Sequence, residues 1–296
     1  MLRLLPLLTL LSACSAAADV PTTPAPPLAA YFDCLRTHNQ AVIGAHRAGP
    51  APGLPENALE TMAATLDRNP RALLEIDVQR SADGTLFLLH DDRLERTTTG
   101  RGTASQLRWR SLSRLRLKDD DGAITRSQIP SLAAALELAV ARNAIVQLDV
   151  KRGVPFEQVI AAVRAARATR NALIITYNDA DAALVARLAP ELMISASIYA
   201  GSAIDRIDAD PRALLAFTGT RDPSPSHFAA LRAAGIEPIF ATLGRAGERL
   251  DDRWLADGDP SEYADLVSDG VTIIATDRAP EVEPALPPVT CAIPVG

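Results

Sequence analysis

The sequence predicts an α/β protein of the TIM-type (β/α)8 barrel class, and three observations predict it. Strand-like apolar runs alternate with helical patterns through the whole body of the chain, which is the pattern of repeated βα units. The runs are apolar almost without interruption, as strands are when helices cover both faces of a parallel sheet. Polar and ionisable residues collect at the C-terminal ends of several runs. A doubly wound open sheet satisfies the first two observations, but the third favours the barrel, whose functional sites lie on that face.

In order, strands are read at 41–45, 73–78, 85–89, 144–150, 173–177, 192–198, 236–242 and 271–276, with 214–218 as a ninth candidate. A closed barrel of this class takes eight, so one of them is a loop or an extra strand. Between them, apolar residues recur with helical spacing at 58–68, 132–141, 156–169, 180–188, 226–234 and 262–267. A length of 296 residues suits one such domain, and no internal repeat is visible.

The N-terminus stands apart. Arg3 supplies a positive charge, Leu4 to Leu11 are mostly apolar, and small residues follow, the layout of an export signal. Leu11-Ser12-Ala13-Cys14 resembles the lipobox of bacterial lipoproteins, which implies cleavage after residue 13 and a lipid on Cys14; the other reading is a plain secretory signal with an incidental cysteine. Residues 14–28 are rich in proline and read as an extended tether, leaving a folded body at 29–296. The expected location is the cell envelope or periplasm, lipid-anchored, or outside the cell if the lipobox is unused. No run is long and apolar enough for a permanent membrane helix, so the anchor would be the only membrane contact. The net charge of −6 argues against a nucleic-acid partner, and no protein partner is inferred. Cys34 and Cys291 lie at opposite ends of the body. First and last elements are neighbours in a closed barrel, so a disulfide is expected in an oxidising compartment, against the alternative of two unpaired small apolar residues.

The chemistry begins with carboxylates at alternate strand positions. Glu75 and Asp77 end the second run, and Asp149 with Lys151 repeats the spacing on the run at 144–150. Residues i and i+2 of a strand point to the same side. Three carboxylates converging at one barrel mouth repel one another without a cation, and an oxygen-only set suits Mg²⁺ or Ca²⁺ better than zinc. Singly, an acidic strand end is more often solvated or salt-bridged. The presence of His46, Arg47 and His90 at the ends of other runs is what singles these out, because two imidazoles and a guanidinium beside a cation can open a phosphate ester.

Ordered motifs extend this pattern from residue 45 to residue 280: Ala45-His46-Arg47-Ala48-Gly49, Leu54-Pro55-Glu56-Asn57, Glu75-Ile76-Asp77-Val78, His90-Asp91, Arg96-Thr97-Thr98-Thr99-Gly100, Leu148-Asp149-Val150-Lys151 and Ala275-Thr276-Asp277-Arg278-Ala279-Pro280. With them the chain resembles the glycerophosphodiester phosphodiesterase family. The resemblance implies a TIM-type barrel that hydrolyses a small-molecule phosphodiester to glycerol 3-phosphate and an alcohol. It assigns His46 and His90 as the acid/base pair, Arg47 to the phosphate, and Glu75, Asp77 and Asp149 to a divalent metal. Lys151 is read as a second positive charge toward the substrate, and Glu56, with Asn57, as a shaping and hydrogen-bonding element of the same site.

The chain departs from the family pattern in three places. Asp149-Val150-Lys151 stands where Glu-x-Lys is usual, Ala58 replaces the threonine of Glu-Asn-Thr, and Pro238-Ile239-Phe240-Ala241-Thr242-Leu243-Gly244 stands in place of the usual aromatic-bearing seventh strand. Asp-x-Lys also resembles the sphingomyelinase D branch, so a phospholipase D-like lyase releasing a cyclic phosphate stays open beside hydrolysis, as does a non-catalytic phosphoester-binding lipoprotein. His38 and His227 are read as surface residues, Asp277 as lying outside the metal ligands, and the basic residues at 108–118 as a solvated helix face.

Overall fold

The structure is a computed structural model that describes residues 25–294. The export signal, Cys14 and the tether up to residue 24 lie outside the described residues.

Among the described residues eleven strands are formed: β1 Val42–Ala45, β2 Leu73–Arg80, β3 Leu86–Leu88, β4 Arg116–Lys118, β5 Ile124–Gln128, β6 Ile145–Val150, β7 Ala172–Thr176, β8 Met193–Ser197, β9 Leu214–Phe217, β10 Glu237–Ala241 and β11 Ile273–Thr276. Eight of them, β1, β2 and β6 to β11, run parallel in that order, and β1 pairs with both β2 and β11, which closes the barrel. The surplus strand is β3, which pairs antiparallel with the end of β2 outside the barrel, while the ninth candidate, β9, is its sixth strand.

Helices α1 Ala29–Thr37, α2 Leu59–Arg68, α3 Trp109–Leu112, α4 Leu132–Ala141, α5 Phe156–Ala165, α6 Asp179–Leu188, α7 Pro225–Ala233, α8 Leu250–Trp254, α9 Ser261–Ser268 and α10 Ala279–Val282 complete the body. Strand side chains alternate between two apolar environments. Ile43, Leu74, Ile76, Val146, Leu148, Ile174, Ile194, Ala216, Phe240 and Ile274 belong to the same buried cluster as Met62, Leu136, Val163, Val185, Phe228 and Leu266 of the helices. The opposite parity points into the barrel, where Val42, Leu73, Ile145, Leu173, Met193, Leu215, Ile239 and Ile273 form its floor.

That floor would face water without α1. Tyr31, Phe32 and Leu35 of α1 are buried against it, each such side chain contributing about 1.5–3 kcal/mol of hydrophobic stabilisation. Cys34 of α1 and Cys291 of the C-terminal segment are joined in a disulfide, with Cα atoms 5.9 Å apart. Above the floor the inward positions mix polar residues, Glu75, Gln147 and Ser195, with apolar ones, Ile175, Phe217 and Ala275, and lead upward to the mouth.

The reading of His227 as a surface residue is corrected. It is buried, and its Nε2 lies 2.9 Å from the carbonyl oxygen of Ile198, a partner supplied by the loop after β8. His38 is exposed as expected. The basic stretch is no single helix face: Arg110 is in α3, Arg116 and Lys118 in β4, and Lys118 Nζ donates to Glu95 O at 2.8 Å. No helix among the described residues is long and apolar enough to cross a membrane.

Candidate active site

The register of the parallel sheet assembles the carboxylates. Asp77 of β2 sits directly beside Asp149 of β6, and Glu75 lies one inward position below Asp77. One oxygen from each of the three lies within 4.8 Å of the others. Lys151 follows two residues after Asp149, and its Nζ is 2.5 Å from Asp149 Oδ2 and 2.6 Å from Asp77 Oδ1. The ammonium is thus placed on the carboxylates. Burial pushes the Asp77 carboxyl up, but Lys151, His90 and Asn57 outweigh it and hold it below the usual range. Burial first, and then the Asp77 and Asp149 carboxylates, together raise Glu75 to about 8 against the opposing pull of His46 and the Arg47 N–H.

These residues fit a hard divalent cation. Among the described residues Asp149 Oδ1 is buried and accepts no hydrogen bond, and Glu75 ionises only with difficulty beside two other carboxylates. A cation offers the first a partner and relieves the repulsion on the second. The donor set is oxygen alone, as Mg²⁺ or Ca²⁺ prefers.

The loop after β1 carries His46 and Arg47 in an unusual backbone. Arg47 and Ala48 have φ of 50° and 71°, uncommon for residues with a side chain, and Asn57 in the same connection has φ of 59°. Gly49 follows at φ 79°, where a Cβ would meet Thr65 Oγ1 at 2.9 Å, so only glycine fits. Three hydrogen bonds hold this turn: Arg47 N donates to Glu75 Oε2 at 2.8 Å, Asn57 N to Arg47 O at 3.0 Å, and Thr65 Oγ1 to Ala48 O at 2.7 Å. Asn57 also grips Asp77, donating from Nδ2 to Oδ2 at 2.6 Å and accepting from the Asp77 N–H at 2.9 Å.

Both histidines are oriented in the same way. His46 Nδ1 is 2.6 Å from Asp277 Oδ1, and His90 Nδ1 is 2.8 Å from Asp91 Oδ1. A carboxylate only accepts, so Nδ1 carries the proton in each ring and Nε2 is left for chemistry. His46 Nε2 lies 3.9 Å from Glu75 Oε2, beside the carboxylate cluster. Burial lowers the His46 pKa, but Asp277 and Glu75 together raise it above its ordinary value.

Each orienting aspartate is held by an arginine. Asp277 Oδ2 accepts from Arg249 NH1 and from Gly244 N, both at 3.0 Å, and Asp91 accepts from Arg96 Nε and NH2 at 2.6 and 2.8 Å. Asp277 lies outside the carboxylate cluster, yet it touches a histidine of the site. Sequence reading missed it, along with Asp91, Arg96 and Arg249 as participants. His-Asp adjacency was a signal for Asp91; nothing local marked Asp277 as a partner of a residue 231 positions earlier.

Arg47 NH1 donates to Glu56 Oε2 at 2.8 Å, while its buried Nε has no partner among the described residues. His46, Arg47, Glu56, His90, Asp91, Arg96, Arg249 and Asp277 line one open groove across the mouth. From His46, Glu75 and Asp149 a second cavity of about 160 Å³ descends into the barrel, lined by Gly44, Gln147, Ser195, Phe217 and Ile239. Gly44 matters here as an inward position without a side chain, where a Cβ would stand 3.1 Å from Ile273 Cγ2.

A family model, that of the glycerophosphoryl diester phosphodiesterase family, matches residues 46–255, a span that takes in His46, Arg47, Glu56, Glu75, Asp77, His90, Asp149 and Lys151 but not Asp277. The chain belongs to that family. A glycerophosphodiester phosphodiesterase of Caldanaerobacter subterraneus subsp. tengcongensis is 26% identical over 161 residues, which cover 52% of this chain and 65% of the relative. The uncharacterized protein YqiK of Bacillus subtilis is 28% identical over 156 residues, covering 51% and 63%. The chain therefore spans just under two thirds of the length of these relatives. Among solved structures, a glycerophosphoryl diester phosphodiesterase from Parabacteroides distasonis superposes with a TM-score of 0.76 at 29% identity, over 84% of this chain and 88% of that one. A phosphodiesterase from Oleispira antarctica, in complex with its product sn-glycerol-3-phosphate, shares the fold with a TM-score of 0.64 at 20% identity, over 84% and 98%.

Proposed function

We propose that the protein hydrolyses glycerophosphodiesters to glycerol 3-phosphate and an alcohol, with a divalent metal, Mg²⁺ or Ca²⁺, held by Glu75, Asp77 and Asp149. The observation that carries the reading is the pair of imidazoles, each with Nδ1 committed to an aspartate and Nε2 available, in a groove that also holds Arg47 and adjoins the carboxylate cluster. The unprotonated Nε2 of one ring takes the proton of the attacking water, and the other ring, charged as an imidazolium with a proton on Nε2 as well as on Nδ1, gives its Nε2 proton to the departing alkoxide. Arg47, whose Nε has no partner among the described residues, supplies a planar donor group to the phosphoryl oxygens, and Glu56 aims it. The metal, when bound, neutralises charge developing on the phosphoryl oxygens. Lys151 fixes the spacing of Asp77 and Asp149. The product of the Oleispira relative, glycerol 3-phosphate, supports the same product here.

The test is product analysis on glycerophosphocholine, glycerophosphoethanolamine, glycerophosphoinositol and lysophosphatidylcholine. Glycerol 3-phosphate should appear, vanish after chelation, and return with Mg²⁺ or Ca²⁺. Full activity after exhaustive chelation refutes the metal. A cyclic phosphate product refutes hydrolysis and favours the lyase, and binding without turnover identifies a receptor.

The export signal and Cys14 support a lipid-anchored protein of the cell envelope. Cys14→Ser should then move the protein out of the membrane fraction or stall its processing. Wild-type protein found wholly in the soluble fraction would exclude the anchor.

A further inference from the structure

We propose that Arg96 is a positioning residue that couples the proton-transfer group His90 to the phosphate-binding group Arg47, an inference that rests on the function proposed for this site. Its guanidinium spans two carboxylates. Nε and NH2 donate to Asp91 at 2.6 and 2.8 Å, and NH1 and NH2 donate to Glu56 at 2.8 and 2.9 Å. Each carboxylate carries a second load: Asp91 Oδ1 faces His90 Nδ1 at 2.8 Å, and Glu56 Oε2 accepts from Arg47 NH1 at 2.8 Å. The result is one chain, His90 to Asp91 to Arg96 to Glu56 to Arg47.

Only arginine has two edges of parallel N–H groups with which to hold two carboxylates at once; a lysine ammonium, a point charge, lacks that planar fork. Glu56 is 4% exposed, and both of its oxygens are occupied by the two guanidiniums. Arg96 itself is about half exposed, and as a plain ion pair it would contribute little. Its effect is geometric: where Asp91 goes, the His90 ring follows, and where Glu56 goes, Arg47 follows.

A clamp that merely anchored the loop 91–102 would leave the two catalytic groups independent. The decisive experiment is a double-mutant cycle of Asp91→Asn and Glu56→Gln on kcat/KM for glycerophosphocholine, run with Arg96 and again with Arg96→Ala. With Arg96 the two effects should depart from simple multiplication by about fivefold or more, and with Arg96→Ala they should multiply. Nitrogen NMR of the neutral His90 imidazole gives a readout without turnover: the fraction protonated at Nδ1 should fall in Arg96→Ala. Should that variant not fold, Arg96→Lys carries both measurements. Simple multiplication in the presence of Arg96, or an unchanged His90 spectrum, overturns the proposal. A wild type inactive on every glycerophosphodiester defeats the functional reading instead, and the NMR result alone then decides for or against the coupling.

Discussion

Asp277 shows how much of a candidate catalytic group's behaviour comes from a neighbour. Its carboxylate is partly buried, yet His46, Gly244 and Arg249 outweigh that burial and hold it ionised well below the usual range. His46 therefore faces a fixed negative charge at Nδ1 and presents a single nitrogen to the groove. Replacing His46 or His90 by alanine should each lower kcat by about 10²-fold or more. Asp277→Asn keeps the size of the side chain but removes that charge, and it should lower kcat between about 10²- and 10⁴-fold, because an amide can stabilise the wrong tautomer. Metal affinity, measured by calorimetry, should be retained in Asp277→Asn and weakened in Asp149→Asn. The reverse order of affinities would place Asp277 among the metal ligands. Among the candidate site residues, Glu75, Asp77 and Asp149 were legible because strand periodicity puts each at a predictable end and side, and His46 and His90 because each directly follows an apolar run. Their partners were not, since an aspartate 231 positions away becomes a neighbour only when the last strand closes on the first.

At the scale of elements, α2, α4, α5, α6, α7 and α9 were read to within a few residues, and α4 at both of its ends, because helical spacing of apolar residues reports a buried side, whereas the short α3, α8 and α10 went unread. The strands were equally visible, but their membership was not. Residues 86–88 and 214–217 are both short apolar runs, and composition alone does not distinguish a barrel strand from an antiparallel return. The difference is in the connection: β3 follows β2 after a tight turn in which Gly84 N donates to Ser81 O, a link too short for a parallel crossover. The β4 and β5 hairpin went unread for a different reason, since its strands alternate weakly and are largely exposed. Helix α1 was unread because its apolar face, Tyr31, Phe32 and Leu35, is short and follows a proline-rich tether. Its partner residue on the floor is Glu237 of β10, whose carboxylate accepts from Arg36 Nε at 2.8 Å. Local elements thus report their own burial, while the pieces that close the barrel report nothing until the barrel exists.

The whole molecule has a working end and a closed end. Every candidate catalytic group is at the mouth, and the disulfide Cys34–Cys291 ties α1 and the C-terminal segment together at the floor, over a sequence separation of 257 residues. Gln40 reinforces the same seam, donating from Nε2 to Thr290 Oγ1 at 2.8 Å and accepting from Thr290 N at 2.9 Å. The pairing was legible from the circular order of the barrel, which makes the two ends of the body neighbours. A cross-link over so long a loop restricts the unfolded chain, with an upper value of about 5 kcal/mol in the chain-entropy account. The double variant Cys34→Ser, Cys291→Ser should therefore unfold at lower denaturant, with most of the loss arising in the unfolded state. Because α1 also docks through Tyr31, Phe32 and Leu35, the folded barrel should persist, and because the floor is at the opposite end from His46 and His90, kcat should stay within about twofold. Denaturant titration and steady-state kinetics on the same preparation check both halves. A variant with unchanged stability would show that the bond adds nothing to the docking of α1, and one with normal stability but lost turnover would show that the floor and the mouth are coupled.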